Sequence, residues 1–348
     1  MKSRILLLFT FLVLISCKRE QKISSSDWTL ISTRLQYKEE RGALQLKSGN
    51  FTYDFKSDQV PFKKIILLNA SMAGYITELG AENLIAGVSS PEYIYSDKIQ
   101  NLLKQGKIQN VGNEQKYEVE KIISLKPDAV FTNYVASFDN TYQLLKNNGI
   151  KVIFLDEYME QNPLERTAYI RLFGKLLGKN KEAETKYDEV EKNYKELKQL
   201  ALKAKARPVV LANIMYGDIW YLPGGRTTTA HYISDANAEY ILKNNTEEKA
   251  MTMNFEEVYA KSAGVQYWVN AGNHVSKKEM LSMNPLYSKL DVFNNGKIYV
   301  ITGREIQKAN DFFESGVVRS DLILKDYIKI FHPELLPDYQ LTYMKELQ

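Results

Sequence analysis

Three histidines, His231, His274 and His332, and one cysteine, Cys17, are the side chains of this sequence best suited to nucleophilic, acid–base or metal chemistry near neutral pH. The histidines are scattered along the chain. No His-Glu-x-x-His pair sets two of them on one helix face, and a single cysteine supplies neither a zinc ribbon nor an intrachain disulfide. His332 precedes Pro333 in a terminal segment and reads as structural, whereas His231 follows three threonines at an expected helix start and is a candidate ligand contact. The stretch "LPGGRTTT" sets two glycines and Arg226 before that helix. Backbone N–H groups at a helix start attract anions, but the spacing fits neither the G-x-x-x-x-G-K-[ST] loop nor G-x-G-x-x-G. The same run reads as a tight turn with glycines at positive φ, or as a cleft loop in which Arg226 offers a fork of donors to an anionic ligand.

The elements that would position these groups begin after an unusual start. "MKSRILLLFTFLVLISC" has Lys2 and Arg4, an apolar run from Ile5 to Ile15, and Cys17 at its end. The run is shorter than the roughly 20 residues that a membrane span requires, so residues 1–16 read as a signal peptide. "LISC" resembles a bacterial lipobox, which implies lipidation of Cys17, and residues 17–32 read as a polar tether. Removing residues 1–16 takes two positive charges from a formal net of +4 and leaves a nearly balanced chain. Charges of both signs are interspersed, which gives no electrostatic footprint for nucleic acid.

In a chain of 348 residues, length alone suggests two domains. From Thr33 to Phe55, short alternating runs suggest edge strands or a hairpin. A strand at 63–69, a short helix, and a strand at 84–90 follow. Then come a helix at 118–125, a Pro127-Asp128 stop, a strand at 129–132, a helix at 140–148 and a strand at 151–156. Ala183, Tyr187, Val190, Tyr194, Leu197 and Ala201 recur at four and three, which predicts one long amphipathic helix over 179–206. A second strand–helix set begins after Pro208 with a strand at 209–215 and closes with a helix from Gly316 to Phe331, and "NFEEVYAKSAGVQYWVNAG" (254–272) blurs the earlier "YEVEKIISLKPDAVFTNY" (117–134). The predicted fold is α/β: two Rossmann-like, three-layer lobes with mostly parallel sheets (residues 33–178 and 207–348) joined by that one helix.

Six stretches carry a resemblance: "ITELGAENLIAGVSS", "VGNEQKYEVEKIISLKPDAVF", "NNGIKVIFLD", "LPGGRTTTAHYISDANAEYIL", "NFEEVYAKSAGVQYW" and "LILKDYIKIFHPELLPD". In this order, from about Ile76 to Asp338, they resemble the substrate-binding lipoproteins of ABC importers for ferric siderophores, haem and cobalamin. The segment before Pro61 is not covered. The resemblance implies a non-enzymatic, monomeric, lipid-anchored protein of the cell envelope that carries a metal chelate and delivers it to importer permease subunits. It implies no resident cofactor and no bare metal site. It also implies a surface glutamate on each lobe, Glu120 and Glu256, that docks onto permease arginines. No histidine or tyrosine pair marks an axial ligand for haem iron, so the three ligand classes stay open.

Open α/β sheets place ligands at the carboxyl ends of their strands. By that rule and by position in the family pattern, Tyr134, Trp220 and Arg226 are the leading pocket residues, followed by Tyr93, Tyr158 and Arg304. Aromatic walls and a cation suit a bulky anionic chelate. Two rivals stand beside this reading. A receptor for bare Zn²⁺ or Mn²⁺ would need histidines and carboxylates that converge; an extracytoplasmic enzyme on a chelatase-like scaffold would need a close carboxylate pair or a histidine beside a carboxylate in the cleft.

Overall fold

The computed structural model of the chain describes residues 28–348. The signal-peptide reading at 1–16, the lipidation reading at Cys17 and most of the tether reading lie outside the described residues. No helix among the described residues is long and apolar enough to cross a membrane.

The two lobes share one topology. In the first, Lys151–Phe154, Ala129–Thr132, Ile65–Leu67, Ile85–Val88 and Gln109–Asn110 lie side by side, every pair parallel. In the second the order is Glu239–Tyr240, Val209–Ala212, Val265–Val269, Lys297–Val300, with Lys345–Glu346 added antiparallel at the edge. With the four principal strands of each lobe numbered along the chain, both sheets read second, first, third, fourth. Ile85–Val88 and Ala129–Thr132 are buried at every position, as expected for parallel strands covered on both faces. The α/β reading with mostly parallel sheets is borne out.

Between the lobes, helix Pro163–Leu177 runs into the 22-residue helix Asn180–Ala201. That long helix buries Ala183, Tyr187, Val190, Tyr194 and Ala201, the stripe that the four-and-three spacing predicts, and packs on Pro163–Leu177 and Ser320–Phe331. Tyr187 belongs to the core of the first lobe and Tyr194 to that of the second, so one face of the helix seals both.

Three expectations are corrected. Thr29–Ser32, assigned to the tether, is a strand; with Leu35–Glu40, Ala43–Ser48 and Phe51–Phe55 it forms a four-stranded antiparallel sheet. Alternation turns Leu35, Leu44, Leu46 and Phe55 into the first lobe's core. The apolar run from Val209 to Met215 breaks after Ala212, because Asn213 adopts a left-handed φ of 59°, and Met215–Tyr216 joins Ile219–Pro223 and Ala250–Met253 in a separate three-stranded sheet. Finally, the last long helix starts at Ser320, not Gly316; the turns before it send Val317 and Val318 back into the core of the first lobe.

Candidate ligand cleft

The loops that leave the strand ends of the first lobe converge on one cavity of about 470 Å³. After Ile65–Leu67 comes Asn69–Ser71, after Ala129–Thr132 come Asn133 and Tyr134, and after Lys151–Phe154 come Glu157 and Tyr158. Tyr93, Glu114, Val135 and Arg166 complete this wall. The facing wall comes from the C-terminal half of the chain: Lys308, Asn310, Phe313 and Glu314. Its volume falls in the range typical of small-ligand sites.

The floor is polar and tightly tied. Glu157 is buried, and its carboxylate accepts hydrogen bonds from Ser71 Oγ (2.9 Å) and Asn133 Nδ2 (3.1 Å). Asn133 Nδ2 also reaches Leu155 O at 2.5 Å, and Asn69 Nδ2 donates to Asn133 Oδ1. Burial pushes the Glu157 carboxyl above its ordinary value, opposed by the Arg166 guanidinium and then by the hydrogen bond from Ser71. Arg166 makes no ion pair among the described residues, and its Nε is buried without a partner. It is the cation at the floor that remains open to a ligand anion.

The walls are aromatic. The Tyr134 ring packs against Phe154 and Phe51 at centroid separations of 5.2 and 5.3 Å, and its hydroxyl donates to Asp139 Oδ2 at 3.1 Å. Tyr93 and Tyr158 are exposed at the rim, and Lys308 Nζ stands 5.8 Å from the Tyr93 ring centroid, a cation–π contact across the cleft. At the seam, the Glu314 carboxylate accepts the backbone N–H groups of Tyr95 (2.5 Å) and Ser96 (3.1 Å). Gly74 lies so near that a Cβ there would stand 2.0 Å from Glu314 O; the close approach of the two backbones requires glycine.

Glu314 is 3% exposed, and burial raises its carboxyl to about 7 against the pull of the two amide donors. Its folded value lies above its ordinary value of 4.5, so folding takes up a proton. The stability this group contributes is complete below about pH 4.5 and is lost as the pH rises through about 7. Glu314→Gln removes the charge and keeps one acceptor oxygen, enough for the N–H of Tyr95 or of Ser96 but not both, because the new amide nitrogen only donates. The melting temperature of the variant is expected to gain several degrees on that of the parent between pH 4.5 and pH 8 in thermal scans; a difference that does not change with pH would contradict this assignment.

Of the six residues expected at the pocket, Tyr134, Tyr93 and Tyr158 line the cleft and three do not. Trp220 is fully buried: its Nε1 donates to Ala212 O (3.1 Å), and its ring lies 5.2 Å from Trp268 and 5.7 Å from Tyr287. Alternation along Ile219–Pro223 turns Trp220 and Leu222 inward and Ile219 and Tyr221 outward. Trp220→Phe removes a donor to the Ala212 carbonyl and part of the packing against Trp268 and Tyr287, and is expected to lower unfolding free energy by about 1–3 kcal/mol in denaturant titration while leaving ligand affinity unchanged. Arg226 is exposed outside the cleft lining, its backbone N–H bonded to Glu247 O. The glycines before it take no positive φ; a Cβ on Gly224 would lie 2.5 Å from Lys249 O, so they serve close approach to the 245–249 loop. Arg304 pairs with Asp311 (3.1 Å) in an adjoining groove that shares Glu314 with the cleft.

The docking candidates occupy matching places. Glu120 is the second residue of Val119–Leu125 and Glu256 the second residue of Phe255–Lys261, each helix leading into the third strand of its lobe. Both are exposed and neither forms an ion pair among the described residues. Their neighbours are occupied: Glu118 pairs with Lys121, and Glu257 closes a capping box with Asn254. His332 Nε2 is buried against Ala236 O and Asn237 O, and His274 is buried near Glu279, so neither faces the cleft; His231 is absent from the cleft lining. No group of three His, Cys, Asp or Glu among the described residues is placed to hold a metal ion.

Among the lining residues that sequence reasoning missed are Asn69, Asn133, Glu157, Arg166, Lys308, Phe313 and Glu314. Asn69 and Asn133 lie within two residues of strand ends and obey the strand-end rule that selected Tyr134.

Residues 65–305 match the family model described as periplasmic binding protein. The chain belongs to that family. An uncharacterised lipoprotein of Methanocaldococcus jannaschii is 23% identical over 291 residues, covering 81% of this chain and 68% of the relative. Among solved structures, a possible iron-binding, periplasmic solute-binding protein of Staphylococcus epidermidis aligns with TM-score 0.60 and 20% identity, over 78% of this chain and 99% of that one. A periplasmic haem-binding protein of Vibrio cholerae gives 0.62 and 15% over 78% and 99%, and a Helicobacter pylori protein solved with Ni(II) bound gives 0.62 and 17% over 85% and 91%. These structural matches share the fold. Within this periplasmic binding protein, the matched region carries the cleft wall of the first lobe and both docking candidates, while the N-terminal antiparallel sheet precedes it.

Proposed function

We propose that this periplasmic binding protein captures a metal chelate, foremost a ferric siderophore with haem and cobalamin as the related classes, between its lobes and hands it to an ABC importer. The observation that carries this reading is the pairing of aromatic walls (Tyr93, Tyr134, Tyr158, Phe313) with two cations, Arg166 and Lys308, around one cavity. Flat rings match a bulky chelate, and the cations match its anionic oxygens. The cleft lining holds no histidine or cysteine, which favours a chelated over a bare ion. A structural relative described as a siderophore-binding protein was solved with two molecules of acinetobactin and ferric iron, and it aligns with TM-score 0.59 at 15% identity. Among the described residues no histidine lines the cleft, and its buried carboxylates are engaged, Glu157 by Ser71 and Asn133 and Glu314 by the amides of Tyr95 and Ser96, which favours binding over acid–base chemistry.

In this reading Cys17 carries the lipid that tethers the protein to the membrane, and Glu120 and Glu256 dock on arginines of the two permease subunits. Titration of the purified chain with ferric siderophores, haem and cobalamin, followed by calorimetry and melting temperature, tests it. Saturable binding of one chelate with a raised melting temperature is expected. Binding of free zinc or manganese in preference to every chelate would overturn it.

A further inference from the structure

We infer that the N-terminal four-stranded sheet, which precedes the region shared with the family, is a positioning element of the ligand cleft that acts through Arg34 and Phe51. The inference rests on the cleft being the chelate site. The wall of that site depends on residues 154–166, which carry Glu157, Tyr158 and Arg166. Glu157–Met159 is a single 3₁₀ turn with Tyr158 exposed at its tip, and so short a turn has little hydrogen bonding of its own to fix it.

The sheet grips this segment along its length. The Tyr53 hydroxyl accepts the Phe154 backbone N–H at 2.7 Å. Arg34 Nη2 pairs with Asp156 Oδ2 at 3.0 Å, directly before Glu157. Ser32 Oγ donates to Glu160 Oε1 (2.5 Å), and Thr33 Oγ1 donates to Glu165 Oε1 (2.6 Å), directly before Arg166. Phe51 backs the wall: its ring lies 4.6 Å from Phe154 and 5.3 Å from Tyr134, so one side chain supports a cleft aromatic from behind.

A cover for the edge strand Lys151–Phe154 would need only the contact to Phe154. The remaining ties hold the turn beyond the strand, where they stabilise no sheet. A turn held before the ligand arrives lowers the ordering cost of binding, so release of the ties should weaken affinity more than it lowers stability.

The test compares Arg34→Ala, Phe51→Ala and Phe51→Tyr with Lys47→Ala, a control whose ammonium lies over the Trp28 ring in the same sheet. Hydrogen exchange of the ligand-free chain is read at residues 155–161, and affinity for a ferric siderophore that the parent binds is measured by calorimetry. Arg34→Ala and Phe51→Ala are expected to speed exchange at 155–161 and to weaken binding by about tenfold. Phe51→Tyr should recover the parent affinity, and Lys47→Ala should change neither reading. Unchanged exchange at 155–161 in both alanine variants would overturn the inference, as would unchanged affinity. If the parent binds none of the chelates, the functional reading falls, and the exchange result still decides whether the sheet positions the turn.

Discussion

Arg166→Ala is expected to lower affinity for an anionic ferric chelate by about 10- to 150-fold, the equivalent of losing one charge-assisted hydrogen-bonding group worth about 1.5–3 kcal/mol. The size follows from the state of the guanidinium before binding. Among the described residues Arg166 has no carboxylate within ion-pair distance, and its Nε is buried with no partner, so little is given up when it turns to a ligand anion. Its removal also withdraws the charge that opposes the burial of Glu157, and the Glu157 carboxyl should rise further. Arg166→Lys retains the charge but loses the planar fork, and is expected to recover only part of the affinity. Calorimetry on the parent and both variants measures this. Equal affinity in parent and Arg166→Ala would remove the arginine from the site.

Reversal of charge at both docking candidates, Glu120→Arg with Glu256→Arg, is expected to reduce importer-dependent uptake at least tenfold while chelate affinity stays within twofold. Juxtaposing like charges at an interface costs several kcal/mol, and two such sites act on one docking event. Each single reversal should give an intermediate loss. The neighbours provide the control. Glu118→Arg breaks only an exposed pair with Lys121, and Glu257→Arg breaks a capping box at a cost of about 1 kcal/mol in stability. Neither should impair uptake. Loss of uptake in Glu257→Arg equal to that in the double variant would show that helix stability, not docking charge, is being read.

Much of the fold was legible because it rests on local periodicity. Alternating short apolar runs and helical stripes located both parallel sheets, and the spacing from Ala183 to Ala201 named the inward face of the long helix, with Leu197 alone of the six only half-buried. The repeated joint was legible too: Val119–Leu125 and Phe255–Lys261 lead into equivalent strands of sheets with the same order. Two kinds of feature were not. Backbone exceptions, such as the left-handed Asn213 that splits Val209–Met215, leave no mark on hydropathy. Side-chain direction in short strands also escapes: Trp220 follows a strand of the second lobe in sequence, yet alternation sends it into the core.

The cleft was half legible for the same reason. Tyr134 stands two residues past a strand end of the first lobe, so the strand-end rule finds it, and Asn69 and Asn133 obey the same rule. Arg166 sits in the first turns of Pro163–Leu177, where an arginine looks like any other helix-start residue. Lys308, Phe313 and Glu314 reach the cleft through irregular backbone after Lys297–Val300, whose path depends on long-range contacts such as Glu314 to the amides of Tyr95 and Ser96.

The most direct test of a metal chelate held between the lobes is diffraction at the iron absorption edge from crystals of the chain grown with a ferric siderophore. One anomalous peak is expected within the cavity bounded by Tyr93, Tyr134, Tyr158 and Phe313, its ligand oxygens turned toward Arg166 and Lys308, and no protein atom in direct coordination. An iron peak bound directly by protein carboxylates, or a chelate seated outside this cleft, would contradict the account.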